Sequence, residues 1–209
     1  MRALRHGHRR RLALHRLLRD GAENFVDFIG MAFLAEDGTS RAGITQDMAT
    51  TAYVVLDSWN ALPGLAPDGR LDRDAFLAWA ADVRRLAAAS SRREVCDVVL
   101  GQACGRAAGE PGGVWPPLPV RELLDRPDAA NLRRGFRTGV FNKRGMVTKA
   151  IYEGGAQERA LVERYRALSE ELALEYPRLA QTVREIAEGY RREAEAADQQ
   201  AALSERWER

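Results

Sequence analysis

Residues 161–197, LVERYRALSEELALEYPRLAQTVREIAEGYRREAEAA, contain the pattern that decides the fold. Before Pro177, leucine or tyrosine recurs at steps of four, three and four residues, the spacing of a heptad seam. A similar spacing follows Pro177, which is well placed in the first turn of a helix. Two long helices with matching seams and a short connection predict an antiparallel αα-hairpin over residues 155–205. The seam positions are Leu161, Tyr165, Leu168, Leu172, Leu179, Val183, Ile186, Tyr190, Ala194 and Ala197.

Helical periodicity extends over most of the remaining chain. Over the full sequence 45% of residues are hydrophobic and 30% charged, which is ordinary for a globular protein. No segment alternates as a β-strand would, so we predict an all-α fold, a multi-helix chain of about eight or nine helices. Thr45, Asp72, Ser91 and Asp128 stand where helices are expected to begin. The residues predicted to face inward are Phe25, Phe28, Ile29, Ala32, Phe33, Met48, Ala52, Val55, Leu56, Trp59, Phe76, Trp79, Ala80, Val83, Leu86, Val95, Val98, Val99, Ala103, Leu132, Phe136 and Val140.

Proline and glycine interrupt the helical pattern in GEPGGVWPPLPV. We interpret this segment as a linker between two helical parts, with one continuous domain as the alternative. Trp115, which two prolines follow, is predicted to anchor the segment in one of the two parts. The predicted organisation is a basic N-terminal extension (1–20), an N-terminal helical part (21–108), a linker (109–120) and a C-terminal helical part (121–209).

The formal net charge of +2 does not mark the whole molecule as a polyanion binder, although residues 1–20 hold seven arginines and one acid. This segment lacks the uninterrupted apolar core of a secretory signal. No apolar run of ~18 residues occurs, so no transmembrane helix is predicted. Cys96 and Cys104 lie on one predicted helix with a rise of ~12 Å between them, too far for a disulfide. Two reduced thiols favour a cytoplasmic location.

The sequence contains no residue set with the spacing of a known catalytic or metal site. The histidines, His6, His8 and His15, have no nearby cysteine, so a solvated basic helix is favoured over a metal site. The turn PDGRLDRD has only one side chain that would fill a ligand position of a calcium loop. No Walker loop, GxGxxG, CxxC or HExxH motif occurs. We therefore predict no metal, no cofactor and no enzymatic activity.

Both lysines of the chain lie in the stretch NKRGMVTKAIYEGGAQER, residues 142–159. Together with the arginines before them they form a run of cations without an intervening acid. The alternatives to a binding surface are a solvated face or pairing with the hairpin acids Glu170, Glu171 and Glu175. The predicted basic surface consists of Arg133, Arg134, Arg137, Lys143, Arg144 and Lys149.

Two glycines in this stretch precede a predicted helix N-terminus, where free amides attract anions. Glu153 and Glu158 stand beside them; such acids already complement the helix dipole and would repel a phosphate. We therefore interpret the stretch as a connector between a basic helix and the hairpin. Its predicted loop and hinge residues are Gly145, Gly154, Gly155, Gln157 and Arg159.

Three stretches of the C-terminal half share a pattern with a known helical module. Their matching positions are Trp115, Pro116, Val120, Arg121, Gly135, Asn142, Arg144, Gly145, Thr148, Gly154, Gly155, Gln157, Glu158, Arg159, Tyr165, Pro177, Arg178, Tyr190 and Glu193. On these positions the C-terminal half resembles a helical module from the ends of large uncharacterised bacterial proteins, and residues 45–105 resemble the preceding helices of that module more loosely. This resemblance implies an all-helical, non-enzymatic end-domain with no known activity.

Two functions remain open at this point. The first is a helical protein–protein interaction module, an end-domain or accessory of a larger bacterial system, whose basic loop and hairpin dock a partner protein. The second is a nucleic-acid-binding accessory that uses the basic helix and loop of residues 133–149, with binding that falls steeply as salt rises.

Overall fold

A computed structural model describes residues 13–145, 148 and 153–207 of the chain, with side chains described as far as residue 204. These residues form an all-helical fold, as predicted, and their one β contact is an isolated bridge between Leu65 and Leu71. The helices in the described residues are α1 (13–20), α2 (Ala22–Ala32), α3 (Gln46–Ser58), α4 (Arg73–Ala89), α5 (Arg93–Arg106), α6 (Leu118–Asp125), α7 (Ala130–Lys143), α8 (Ala156–Leu172) and α9 (Pro177–Trp207).

The described residues divide into two compact units. Unit 1 contains the chain up to Leu124 together with Asp128–Val140, and unit 2 contains Asp125–Pro127 and the chain from Phe141 onward. The Pro/Gly segment 109–120 is part of unit 1, where the Trp115 ring stacks on Phe136 at 5.5 Å between centroids. Its indole Nε1 also donates to the carbonyl of Ala107 at 3.3 Å. Trp115 is thus an anchor, as predicted.

Unit 1 is built around an aromatic cluster. The rings of Phe25 on α2, Trp59 at the end of α3 and Trp79 on α4 have centroids 5.2–5.7 Å apart. Their tilted and edge-on geometries are those that aromatic pairs prefer, and such pairs contribute ~0.5–1.5 kcal/mol beyond the area they bury. All three side chains are buried, so this cluster is where α2, α3 and α4 meet.

Two of the predicted helix starts are confirmed by side-chain caps. The hydroxyl of Thr45 and the carboxylate of Asp72 each accept from the backbone amide three residues later, at 3.3 and 2.8 Å. Ser91 was expected to open α5, but the helix begins at Arg93 after Arg92 as its N-cap. Ser91 has a φ of 51°, in the left-handed region, and is part of the turn that ends α4.

Asp128 does not cap α7, which begins at Ala130, but takes part in a buried ion network. The backbone carbonyl of Asp128 accepts from Arg84 at 2.7 Å, and its carboxylate lies 3.1 Å from Arg84 and 3.3 Å from Arg93. Arg84 also donates to Asp97 at 3.0 Å, and both of these side chains are buried. Arg84 and Asp97 are the buried members, and the Asp128 carboxylate is exposed. Because removing Arg84 or Asp97 would leave the other charge buried with less compensation, this network ties α4 and α5 to the turn before α7.

Helices α5 and α7 cross at backbone contact distance. A Cβ atom at Gly135 would lie 1.9 Å from the carbonyl oxygen of Val98, and one at Gly101 would lie 2.0 Å from that of Leu132. No side chain fits at such distances, so the crossing depends on glycine at these positions. The glycines of the crossing are spaced by four residues on each helix, and they are Gly101, Gly105, Gly135 and Gly139.

Unit 2 contains the predicted antiparallel hairpin of α8 and α9, joined by residues 173–176. Pro177 opens α9 as predicted, and the side chain of Asp125 caps it by accepting from the amides of Arg178 and Leu179 at 2.7 and 3.0 Å. Helix α9 continues beyond the last seam position, Ala197, to Trp207.

Most residues predicted to face inward are buried. Met48 is the exception, because 42% of it is exposed on α3. The half-buried members of the predicted set are Phe28, Ala32, Phe33, Leu86, Val95, Val98, Leu161, Leu168 and Ala197.

Candidate functional site

The six residues of the predicted basic surface fall into three groups. Arg133, Arg134 and Arg137 lie on the part of α7 that belongs to unit 1, whereas Lys143 and Arg144 belong to unit 2. Lys149 lies outside the described residues. Each group therefore has to be judged by its own surroundings.

Arg144 points into a buried polar centre of unit 2. Its guanidinium donates to Glu158 on α8 and, at 3.4 Å, to Glu193 on α9, and it lies 5.6 Å from the ring centroid of Tyr190. Glu158 is only 1% exposed, so this acid near the start of α8 is buried. The Tyr190 ring stacks on Tyr165 at 5.7 Å. Burial, and then the neighbouring phenol of Tyr165, raise the pKa of Tyr190 to about 12, so it stays protonated.

The remaining cations differ in how much charge they offer to a ligand. Arg133 is half-buried and donates to the carbonyl of Leu124 at 2.8 Å, which closes the turn before α7. Arg134 is exposed and Arg137 is half-buried. Partial burial of the ammonium group, and then the nearby Arg164, lower the pKa of Lys143. Arg133 and Arg144 are thus engaged within the protein, whereas Arg134 and Lys143 are the exposed cations of the described set.

The predicted hinge glycines lie where the backbone needs glycine, either for a left-handed φ or for a close approach of two helices. Gly145 ends α7 with a φ of 66°, and Gly154 precedes α8 with a φ of 60°, both in the left-handed region that favours glycine. A Cβ at Gly155 would lie 2.4 Å from the carbonyl oxygen of Ala194, so α8 and α9 touch there. Gln157 donates to Glu153 at 2.6 Å, which fixes the first turn of α8.

An acid from the same unit occupies the N-terminus of α8. The carboxylate of Asp198 on α9 accepts from the amide of Gly155 at 2.8 Å and pairs with Arg159 at 2.7 Å. An aspartate in this position satisfies both the free amide and the helix dipole. This contact supports the sequence argument against a phosphate site, and it also holds the far end of α9 in helical form.

The histidines and cysteines of the described chain do not form a nucleophile pair or a metal site. His15 lies 3.1 Å from the hydroxyl of Ser58, whereas His6 and His8 fall outside the described residues. Among the described residues there is no cluster of three or more His, Cys, Asp or Glu that could hold a metal ion. Cys96 and Cys104 are both buried and unpaired, as predicted.

The two thiols are expected to be inert in the folded protein. Burial raises the pKa of Cys104 to about 12 and raises that of Cys96 further still, with a contribution from the adjacent Asp97. At about pH 8 both therefore remain protonated and shielded.

We expect Ellman's reagent to detect neither thiol in the native protein and both after unfolding in guanidinium. Rapid reaction of either thiol without unfolding would show that α5 opens readily.

A concave surface that we did not predict lies in unit 1; its larger part is apolar, and its smaller part mixes apolar and polar side chains. It consists of two depressions of about 280 and 240 Å³ that adjoin at Met31, formed chiefly by α2, α3 and the chain between them. Leu14 on α1 also lines the larger depression. We name this surface the α2–α3 groove, and its defining residues are Phe28, Met31, Leu34, Asp47, Met48 and Thr51.

The α2–α3 groove exposes an unusual amount of apolar side chain. Met48 is 42% exposed and Leu34 is 59% exposed. Beside them, Tyr53 is also exposed, and its ring packs edge-on against Phe33, which lines the smaller depression, at 6.0 Å. Clustered exposed apolar residues mark interaction sites more often than single ones do.

A signal for the groove was present in α3. This helix carries Ala52, Val55 and Leu56 toward the core, yet Met48, Tyr53 and Val54 are also apolar and are exposed. A helix that packs on the core through one apolar stripe needs only residues such as Ala52, Val55 and Leu56 to be apolar. Met48 shares the stripe of Ala52 and Val55 by its spacing, so we assigned it to the core and missed its exposure at the groove.

None of the described helices is both long enough and apolar enough to cross a membrane. Comparison of the chain with protein-family models, with curated proteins and with solved structures found no match.

Proposed function

We propose that this protein is a non-enzymatic helical module that binds a partner protein through the α2–α3 groove, as an end-domain or accessory of a larger bacterial system. The observation that carries the proposal is the exposure of Leu34 and Met48, with the half-buried Met31 between them, around two adjoining depressions of which the larger is apolar. Leaving such residues in water is unfavourable, and a partner that covers them gains the free energy of their burial.

The size and lining of the groove favour a protein over a small molecule. Each depression, at about 280 or 240 Å³, is smaller than the ~300–1,000 Å³ of typical small-molecule sites. Each is also shallow and open, which suits single side chains of a partner. Two of the four methionines in the chain line it, and methionine adapts its shape to different apolar partners.

The proposal places the binding surface elsewhere than the predicted basic loop. Arg144, which was expected to contact a ligand, has its charge compensated by Glu158 and Glu193. The alternative of a nucleic-acid-binding accessory uses the basic helix and loop of residues 133–149, in which Arg134 and Lys143 are exposed. It stays a prediction, since few phosphate contacts from one helix face would support only weak, salt-sensitive binding.

The proposal predicts that partner capture depends on Met48. We would cross-link proteins in the cells that make this chain and compare the wild type with Met48→Glu. Because glutamate places a charge in the apolar surface, the partner is expected with the wild type and not with the variant. Leu118→Glu is the matched control, since Leu118 is similarly exposed (47%) on α6, away from the groove. Identical captures with all three proteins, or no capture with any, would count against the proposal.

A further inference from the structure

We infer that the partner of the α2–α3 groove is an amphipathic helix whose polar face is basic. This inference rests on the proposed function and adds the chemistry of the partner. Its basis is the shape of the groove together with the charges that surround it.

The groove fits a helix better than an extended strand. The larger depression lies mainly between α2 and α3, and in the described residues unit 1 presents no sheet edge to which a strand could add. The two depressions adjoin at Met31, so side chains on one face of a single helix can enter both. Residues three or four apart on a helix project from the same face, as such an arrangement requires.

The charged residues around the groove favour a partner that carries positive charge. Helices α2 and α3 contain four acids and no lysine, arginine or histidine, and of these acids only Asp47 lines the groove. Asp57 lies 3.8 Å from Arg106 and is already paired. The one cation that lines the groove, Arg41, is already paired with Asp27 at 2.7 Å. Asp47 lines the larger depression and forms no ion pair with any described residue. A partner with lysine or arginine beside its apolar stripe would therefore find an uncompensated carboxylate at the rim.

The test uses a fluorescein-labelled synthetic helix with leucine at i, i+3, i+4 and i+7 and lysine at the polar positions. Fluorescence anisotropy with the full chain measures its affinity. We expect saturable binding that weakens at least about tenfold in Met48→Glu and several-fold in Asp47→Lys. Binding should also weaken as salt rises, while Leu118→Glu binds as the wild type does. Far-UV circular dichroism checks that each variant keeps its helices.

Two control peptides make the result specific. One has the same composition with the leucine stripe scrambled, and the other has glutamate at every lysine position. Equal binding of either control, or binding unchanged by Met48→Glu, overturns the inference. If capture from cells depends on Met48 while the lysine helix binds no better than the glutamate helix, the inference fails and the proposed function stands. If neither assay depends on Met48, both fail.

Discussion

Replacing Arg144 by methionine is expected to lower the free energy of unfolding by about 3–5 kcal/mol. The variant keeps an apolar stem against Tyr190 but leaves Glu158 buried without its cationic partner. A buried carboxylate that loses its counter-ion must either remain charged in a poorly solvating site or take up a proton, and both cost stability. Urea unfolding followed by far-UV circular dichroism measures the change.

The matched control is Arg134→Met, which changes the same residue type on an exposed part of α7 and should alter stability by less than about 0.5 kcal/mol. Adding Glu158→Gln to Arg144→Met should recover part of the loss, because it removes the unpaired charge. An Arg144→Met protein as stable as the Arg134→Met control would contradict the burial of this pair. The same conclusion would follow if Glu158→Gln only added to the loss.

The features that local sequence determines were the ones predicted well. The heptad seam predicted the hairpin, and the position of Pro177 predicted the start of α9. Thr45 and Asp72 predicted the starts of α3 and α4. Each of these depends on residues within a few positions along the chain. The prediction that Asp128 caps α7 was wrong, because Asp128 instead binds Arg84. Arg84 is 44 residues away in sequence, so no local pattern shows this contact.

The candidate site was predicted less well for the same physical reason. Charge composition made Arg144 look like part of an accessible surface, since nothing in its immediate sequence shows that Glu158 is buried opposite it. The groove depends on how α2 and α3 pack, and spacing alone assigned Met48 to the core. Sequence therefore indicated which residues carry charge or apolar surface, and the packing of separate helices decided which of them a partner can reach.

Substituting Gly135 by alanine is expected to destabilise unit 1 by about 3 kcal/mol, the upper end of the usual range for overpacking. The new methyl group would lie 1.9 Å from the carbonyl oxygen of Val98, which belongs to the backbone of α5 and has no rotamer with which to move aside. Relief requires α5 and α7 to separate along the whole glycine crossing. Because alanine favours helix over glycine by up to about 1 kcal/mol, the measured loss already includes that opposing gain.

Gly30→Ala provides the matched comparison, because Gly30 is also a buried glycine inside a helix. A Cβ there would find its nearest neighbour, the Arg41 side chain, at an ordinary contact distance of 3.7 Å. That variant should be neutral or gain up to about 1 kcal/mol from helix propensity. Urea unfolding followed by tryptophan fluorescence suits both variants, since Trp115 stacks on Phe136 beside the crossing. If the two variants unfold at the same urea concentration, α5 and α7 cannot approach as closely as their glycines allow, and the crossing would owe its stability to side chains instead.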